Sequence, residues 1–267
     1  MRASRAIPPI LLATLWLAHP SAAARAQAPG APAGSSWIEA GGFYQPVTKG
    51  FGDWKGGYAR AVIAGPSNVW YLETKAQEAF HDQGFYASLA NVHTFSDRLY
   101  THVSVGGGSG EYVLPDLRAD GSISLKLGTS RALVATVGVT LVDAKAGFSD
   151  KAAFGSLTWY AQPRLLIEIG ARFNSSNPGA VGSGRGTAAF TLGRQGQRLV
   201  SLRGSAGTEG YQLTGVASAL RRFSSQEAGI AWREWIGLRW GSVLGAEWYH
   251  NPFYSRTGLT IGVFRAW

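Results

Sequence analysis

The sequence predicts an all-β fold: a transmembrane, antiparallel, up-and-down β-barrel of about 12–16 strands, centred on 14. Three observations predict it. Apolar and polar residues alternate over runs of about nine to twelve residues, long enough to cross a bilayer as tilted strands. Aromatic residues gather near the ends of those runs, as Trp37, Trp54, Trp70, Trp159, Trp240 and Trp248 do, where a membrane barrel carries its interfacial girdles. Of the 267 residues, 36 are Gly and 12% are aromatic, and only 15% are charged against about 25% in a soluble domain. So many glycines do not suit a helical bundle, where each costs about 1 kcal/mol relative to Ala. The absence of Cys excludes disulfides, thiolate metal sites and a thiol nucleophile. The single Met is the first residue, so no internal thioether can ligate copper or haem iron.

The chain opens on an address. Arg2 and Arg5 precede an apolar stretch from Ile7 to Ala18, and small residues follow at Ala22, Ala24 and Ala26. Basic, apolar, then small is the pattern of a secretory signal peptide, and the stretch is too short to serve as a spanning helix. The expected organisation is therefore a signal peptide over 1–26, a flexible lead-in over 27–36 and one barrel domain over 37–267. Cleavage after Ala26 would remove Arg2, Arg5 and Arg25 from a chain of formal charge +9.

The strands follow in order. Trp70, Leu72 and Ala76 alternate with Tyr71, Glu73 and Lys75; Ile123, Leu125 and Leu127 with Ser122, Ser124 and Lys126; Leu133 to Leu141 with Thr136, Gly138 and Thr140. The clearest run is Arg164 to Phe173, with Leu165, Ile167, Ile169, Ala171 and Phe173 on one face and Arg164, Glu168 and Arg172 on the other. Val200 and Leu202 then alternate with Ser201 and Arg203, and Leu244, Ala246 and Trp248 with Gly245, Glu247 and Tyr249. Turn clusters separate the runs at Gly65–Asn68, Ser96–Arg98, Gly128–Arg131 and Ser224–Glu227. Longer connections are expected over Gly106–Asp120 and Ser175–Gly186. Between Ala228 and Trp240 Glu234 falls on the apolar face, which a bulge or turn near Arg233-Glu234-Trp235 would resolve. About fifteen runs can be found, and because bacterial single-chain barrels have even strand numbers, one of them is not a strand. A secreted, soluble β-sandwich also alternates; the run lengths, the aromatic ends and the fall of most charges on the face opposite the apolar one favour the membrane.

The last segment, Arg256 to Trp267, is a strand that ends in an aromatic residue. Leu259, Ile261, Val263 and Trp267 share one face. They resemble the C-terminal signal that outer-membrane barrels present to their insertion machinery. Arg265 departs from that signal, and its long side chain can snorkel to the interface. With Gly41-Gly42-Phe43-Tyr44 in the first strand, Trp54 opening the second, and Tyr254 to Gly258 leading into Gly262, the chain from Trp37 to Trp267 resembles the YaiO family of outer-membrane β-barrel proteins. The resemblance implies an outer-membrane location, with outer-membrane lipid and the insertion machinery as partners. It implies no well-defined substrate.

An enzymatic site is not evident. His102 and Ser104 share a face with Tyr100, but no orienting acid is identifiable, so lumen-lining polar groups are the plainer reading. His81-Asp82 reads as a turn rather than a metal site, and Gly106–Gly110 lacks the Lys-Ser/Thr ending of a phosphate loop. No cofactor and no nucleic acid are expected, since the basic residues are scattered and follow an export signal. With apolar faces toward lipid, the lumen candidates are Glu73, Lys75, Lys126, Arg164, Glu168, Arg172, Arg203, Arg233, Arg239 and Glu247. These charges either pair across strands and pack a closed barrel or line a water-filled, mildly basic pore. The function expected is non-enzymatic: a narrow pore or structural envelope protein, linked to export of an anionic solute or polysaccharide. An outer-membrane lipid-modifying enzyme and a secreted binding module are the alternatives.

Overall fold

The computed structural model describes residues 36–212 and 220–267. Fourteen strands run in chain order: β1 (Trp37–Gln45), β2 (Trp54–Ala64), β3 (Asn68–Ala79), β4 (Asp82–Thr94), β5 (Leu99–Gly108), β6 (Leu117–Leu127), β7 (Leu133–Asp143), β8 (Ser149–Gln162), β9 (Leu165–Asn177), β10 (Val181–Arg194), β11 (Arg198–Gln212), β12 (Leu220–Ile236), β13 (Trp240–His250) and β14 (Ser255–Ala266). Each pairs antiparallel with its sequence neighbours, and β1 pairs with β14 to close the barrel. Closure matters because a sheet edge has no water to bond in a bilayer.

Side chains of a strand alternate between two environments, and here the two are opposite in character. The outer face exposes Leu72, Leu89, Val103, Ile123, Val137, Ile169, Phe190, Leu202, Leu244 and Ile261 around the circumference. The inner face buries Glu39, Glu73, Lys75, Gln77, Ser124, Thr136, Thr140, Thr158, Arg185 and Glu209. Exposed apolar surface on this scale is sustainable only against lipid. Both termini of the barrel lie at one end, together with the turns 65–67, 95–98, 128–132, 163–164, 195–197 and 237–239. The connections 46–53 and 109–116 emerge at the other end. Short turns are periplasmic and longer loops extracellular in such barrels, which orients the molecule.

The structure corrects several sequence expectations. The run Ala228–Trp240 contains no bulge: β12 continues to Ile236 and the turn comes at 237–239. Glu234 does face outward, and Arg198 neutralises it from β11 at 2.5 Å. Ser224–Glu227 lies inside β12 rather than in a turn; Ser225 and Glu227 face inward, and Ser224 and Gln226 are exposed. The connection expected over Ser175–Gly186 shrinks to 178–180, because β9 and β10 both extend into it. Trp37 and Trp54 do not join the girdle. Trp54 is 5% exposed, and Trp37 faces the guanidinium of Arg233 at 4.5 Å. The expected signal peptide lies outside the described residues.

Candidate functional site in the barrel lumen

The inner face is crossed by ion pairs. On β1, Glu39 accepts from Arg233 of β12 at 2.5 Å and from the Tyr58 hydroxyl at 3.1 Å, with Arg60 at 3.9 Å. Arg60 in turn holds Glu73 at 3.0 Å. Arg118 bonds Asp120, which also accepts from Ser104 and Thr140. Arg172 donates to Thr140 and to Asn174. Arg185 is paired with Glu209 and bonds Ser225. Arg203 lies between Glu227 and Glu247, and Glu247 also meets Arg256 and Gln45. Thr158 donates to Glu168 at 2.9 Å. Charge held in a low-dielectric interior persists only when paired in this way.

Small residues make room for this network. Gly41 and Gly262 are register partners across the closing pair of strands. A Cβ on Gly41 would lie 2.7 Å from the Tyr58 hydroxyl and 2.8 Å from Cα of Gly262; one on Gly262 would lie 2.6 Å from the same hydroxyl. Both glycines therefore seat the phenol that bonds Glu39. Gly258 makes room for Gln45 beside Glu247, its Cβ position lying 2.6 Å from Gln45 Cγ.

The outer end of the lumen is closed by an aromatic cap. Val47, Trp54, Ala79, Phe80, Tyr112, Val113, Tyr249 and Tyr254 form one buried cluster, with Phe43, Phe51 and Phe253 packed against it. Phe80 and His81 make the β3–β4 turn with φ of 54° and 67°, a two-residue hairpin usually left to Asn-Gly. The strain of a non-glycine residue there is offset by burial of Phe80, whose ring meets Trp54 and Tyr254 edge-on at 5.2 and 5.5 Å. Arg256 lies over the Trp54 ring at 3.8 Å. The loop 109–116 is folded into the cap by one carboxylate. Asp82 accepts the backbone N–H groups of Glu111, Tyr112 and Val113 at 2.9, 3.0 and 2.8 Å. Burial raises the phenol pKa values of Tyr112 and Tyr254 in these loops. In the loop 46–53 the Asp53 carboxyl is held below its ordinary value by the Tyr44 hydroxyl, then by the Val47 N–H. Beneath the cap, Gln45 Oε1, Trp54 Nε1 and both amide atoms of Gln77 point inward with no protein partner among the described residues.

The periplasmic end is narrowed by a second apolar set, Val92, Tyr100 and Val134 with Val69, Tyr71 and Tyr160. Opposite it, Arg233 lies 3.8 Å from the centroid of Phe264 and 5.4 Å from that of Trp235. Toward the outer ends of β8 to β11, a small cavity of ≈ 10 Å³ is lined by Asp150, Arg172, Asn174, Ser176, Arg185 and Glu209 among others. It has room for about one water molecule.

Glu73, Lys75, Lys126, Glu168, Arg172, Arg203, Arg233 and Glu247 lie on inner-face positions. Arg164 and Arg239 do not: both lie exposed in periplasmic turns, because the strands stop one residue short of Arg164 and break between Ile236 and Trp240. Leu259, Ile261, Val263 and Trp267 all face outward, 57–70% exposed, with Arg265 stacked on Trp240 at 5.6 Å. Ser104 donates to Asp120 at 3.1 Å, an acid the sequence reading did not place beside it. That reading also missed Glu39, Arg60, Asp82, Asp120, Arg185 and Glu209. Glu39 continues the period of the Gly41-Gly42-Phe43-Tyr44 run and could have been found there. Asp82, Asp120 and Arg185 stand in segments whose composition points to turns or loops. Among the described residues no cluster of three or more His, Asp or Glu could hold a metal ion.

A family described as a YaiO membrane beta barrel domain matches residues 36–212. No curated protein matches significantly. Among solved structures the barrel is similar to the CymD monoaromatic hydrocarbon channel, with a TM-score of 0.56 at 7% identity, covering 87% of this chain and 88% of that one. It is similar to the COG4313 outer membrane channel from Pseudomonas putida F1, with a TM-score of 0.55 at 8% identity over 90% and 100% of the two chains. A bacterial polysaccharide outer membrane secretin gives a TM-score of 0.53 at 9% identity over 88% and 99%. At these identities the likeness is one of fold.

Proposed function

The chain belongs to the YaiO family of membrane β-barrels and resides in the outer membrane, and from that premise we propose that it is a narrow pore whose outer mouth is held shut by its own loop. The observation that carries this reading is the Asp82 carboxylate, which gathers three successive backbone N–H groups of the loop 109–116 into the cap. Hydrogen bonds to a charged acceptor contribute about 1.5–3 kcal/mol each before non-additivity, so one substitution can release the loop.

The permeant class follows from the lining. Acids and guanidinium groups alternate around the inner face and pair, which argues against strong anion selectivity. The inward-pointing Gln77, Gln45 and Trp54 offer both donors and acceptors to a hydroxylated, polar solute, such as a sugar unit. No catalytic role is assigned: the hydroxyl of Ser104 is engaged by Asp120, a carboxylate that Arg118 and Thr140 also occupy. Conductance in planar bilayers tests the proposal. Unaltered protein should show rare or small openings and Asp82→Ala frequent, larger ones. Equal conductance of the two, open or closed, would refute a loop-held gate.

A further inference from the structure

Among the described residues, most arginines that do not face the lumen gather at one end; Arg222, exposed near the start of β12, is the exception. In the periplasmic turns stand Arg98, Arg131, Arg164 and Arg239; Arg194 and Arg198 flank the turn 195–197, and Arg265 closes β14. Arg131 pairs with Asp97 and Arg198 with Glu234. Among the described residues the other five reach no carboxylate, and all five are exposed. The described loops at the opposite end carry no arginine; there Lys49 and Lys145 are balanced by Asp53, Glu111 and Asp116.

This rim coincides with an aromatic girdle. Phe95, Trp70, Trp159, Trp232, Trp240 and Trp267 are exposed on the outer face at the periplasmic end. Arg198 lies over Trp232 at 4.9 Å and Arg265 over Trp240 at 5.6 Å, so these guanidinium groups sit on the lipid-facing circumference rather than across the mouth. Tryptophan rings mark the level of the headgroups, and a guanidinium matches a phosphate through paired N–H donors. We propose that this rim is a binding surface for anionic phospholipid headgroups of the periplasmic leaflet, with their phosphates seated on Arg164, Arg194, Arg239 and Arg265 between the girdle tryptophans. The inference is independent of whether the lumen conducts. An acidic polymer or protein in the periplasm would need the charges turned away from the bilayer, and the stacking of Arg198 and Arg265 on outward-facing rings favours lipid over it.

The test uses the full barrel in bilayers of phosphatidylcholine containing increasing phosphatidylglycerol, with brominated forms of either lipid quenching the girdle tryptophans. A basic side chain near an anionic surface favours the anionic lipid about fivefold. Brominated phosphatidylglycerol should therefore quench at severalfold lower mole fraction than brominated phosphatidylcholine. The preference should fall toward unity in Arg164→Gln/Arg194→Gln/Arg239→Gln, return in the corresponding triple Lys variant, and weaken in 0.5 M salt. The triple Gln variant leaves both rim ion pairs intact, and its insertion is read separately by resistance to unfolding in detergent. Equal quenching by the two lipids would overturn the proposal. So would a preference that survives in the Gln variant, or one abolished by millimolar inorganic phosphate, which would mark a site for free anions. Capture of soluble polyglutamate by bilayer-embedded protein without any lipid preference would assign the rim to an acidic partner instead and overturn it as well.

Discussion

Glu39 is the acid on which the seam of the barrel turns, and its replacement by Ala has a calculable cost. The carboxylate is 3% exposed and its partner Arg233 is 20% exposed, so solvent screens the pair little. Removing one member of a buried ion pair costs about 3–5 kcal/mol, because the other charge is left without compensation. Two features soften the loss. Arg60 keeps Glu73 at 3.0 Å, and Arg233 keeps its aromatic neighbours Trp37 and Phe264. Cation–π contacts of this kind contribute about 0.5–2 kcal/mol. The expected net destabilisation of Glu39→Ala is about 3 kcal/mol, or about two orders of magnitude in the folding equilibrium. Guanidinium-induced unfolding in lipid bilayers, followed by tryptophan emission, measures it. The double variant Glu39→Leu/Arg233→Met should lie within about 1 kcal/mol of the parent, since an apolar pair avoids both desolvation penalties. A single variant within about 0.5 kcal/mol of the parent would refute the argument. So would a double variant as unstable as the sum of the two singles, which would show that the pair is incidental.

Two further outcomes follow from the same geometry, beside the Asp82→Ala conductance test. Gly262→Ala should hinder assembly of the heat-resistant barrel, because its Cβ would meet the Tyr58 hydroxyl at 2.6 Å; Tyr58→Phe in the same chain should recover part of it, as judged by migration of unheated samples on gels. The cap should loosen at alkaline pH. Burial raises the Tyr254 phenol above its ordinary 10.0, so its contribution to stability is complete below the unfolded value and lost as pH rises through the folded one. Thermal unfolding scanned from pH 8 upward should show a fall beginning near pH 10 that Tyr254→Phe diminishes; an unchanged profile in that variant would separate the fall from Tyr254.

How far the sequence could be read depends on what each residue's neighbours are. The alternation of Arg164 to Phe173 sufficed for β9, because an inner charge such as Glu168 and an outer side chain such as Ile169 differ sharply in polarity. The same rule failed at Ser224–Glu227. There a polar strand and a polar turn have the same composition, and only the partners Arg185 and Arg203 reveal the inner face. It failed differently at Glu234, whose place on the lipid-facing side is tolerable only because Arg198 arrives from a strand whose register no local pattern encodes. The aromatic pattern misled at Trp54 for a related reason. A girdle and a lumen cap both ask for a large ring near a strand end, and the choice between them rests on one residue of register.

The distribution of arginine shows why a charge count was a poor guide to the lumen. Counted along the inward faces, the basic residues suggested an excess, and with it an anion path. In the barrel Glu39, Glu209, Glu227 and Glu247 compensate inner arginines across neighbouring or more distant strands, and Asp120 compensates Arg118 within β6. Arg172 donates to the neutral side chains of Thr140 and Asn174. Arg164 and Arg239 were counted inward only because the alternation was continued past the last strand residue. A strand that ends one residue earlier moves its terminal arginine from the lumen to the headgroup layer. Arg164 and Arg239 thereby add to the exposed positive charge of the periplasmic rim, the surface proposed above to meet anionic headgroups.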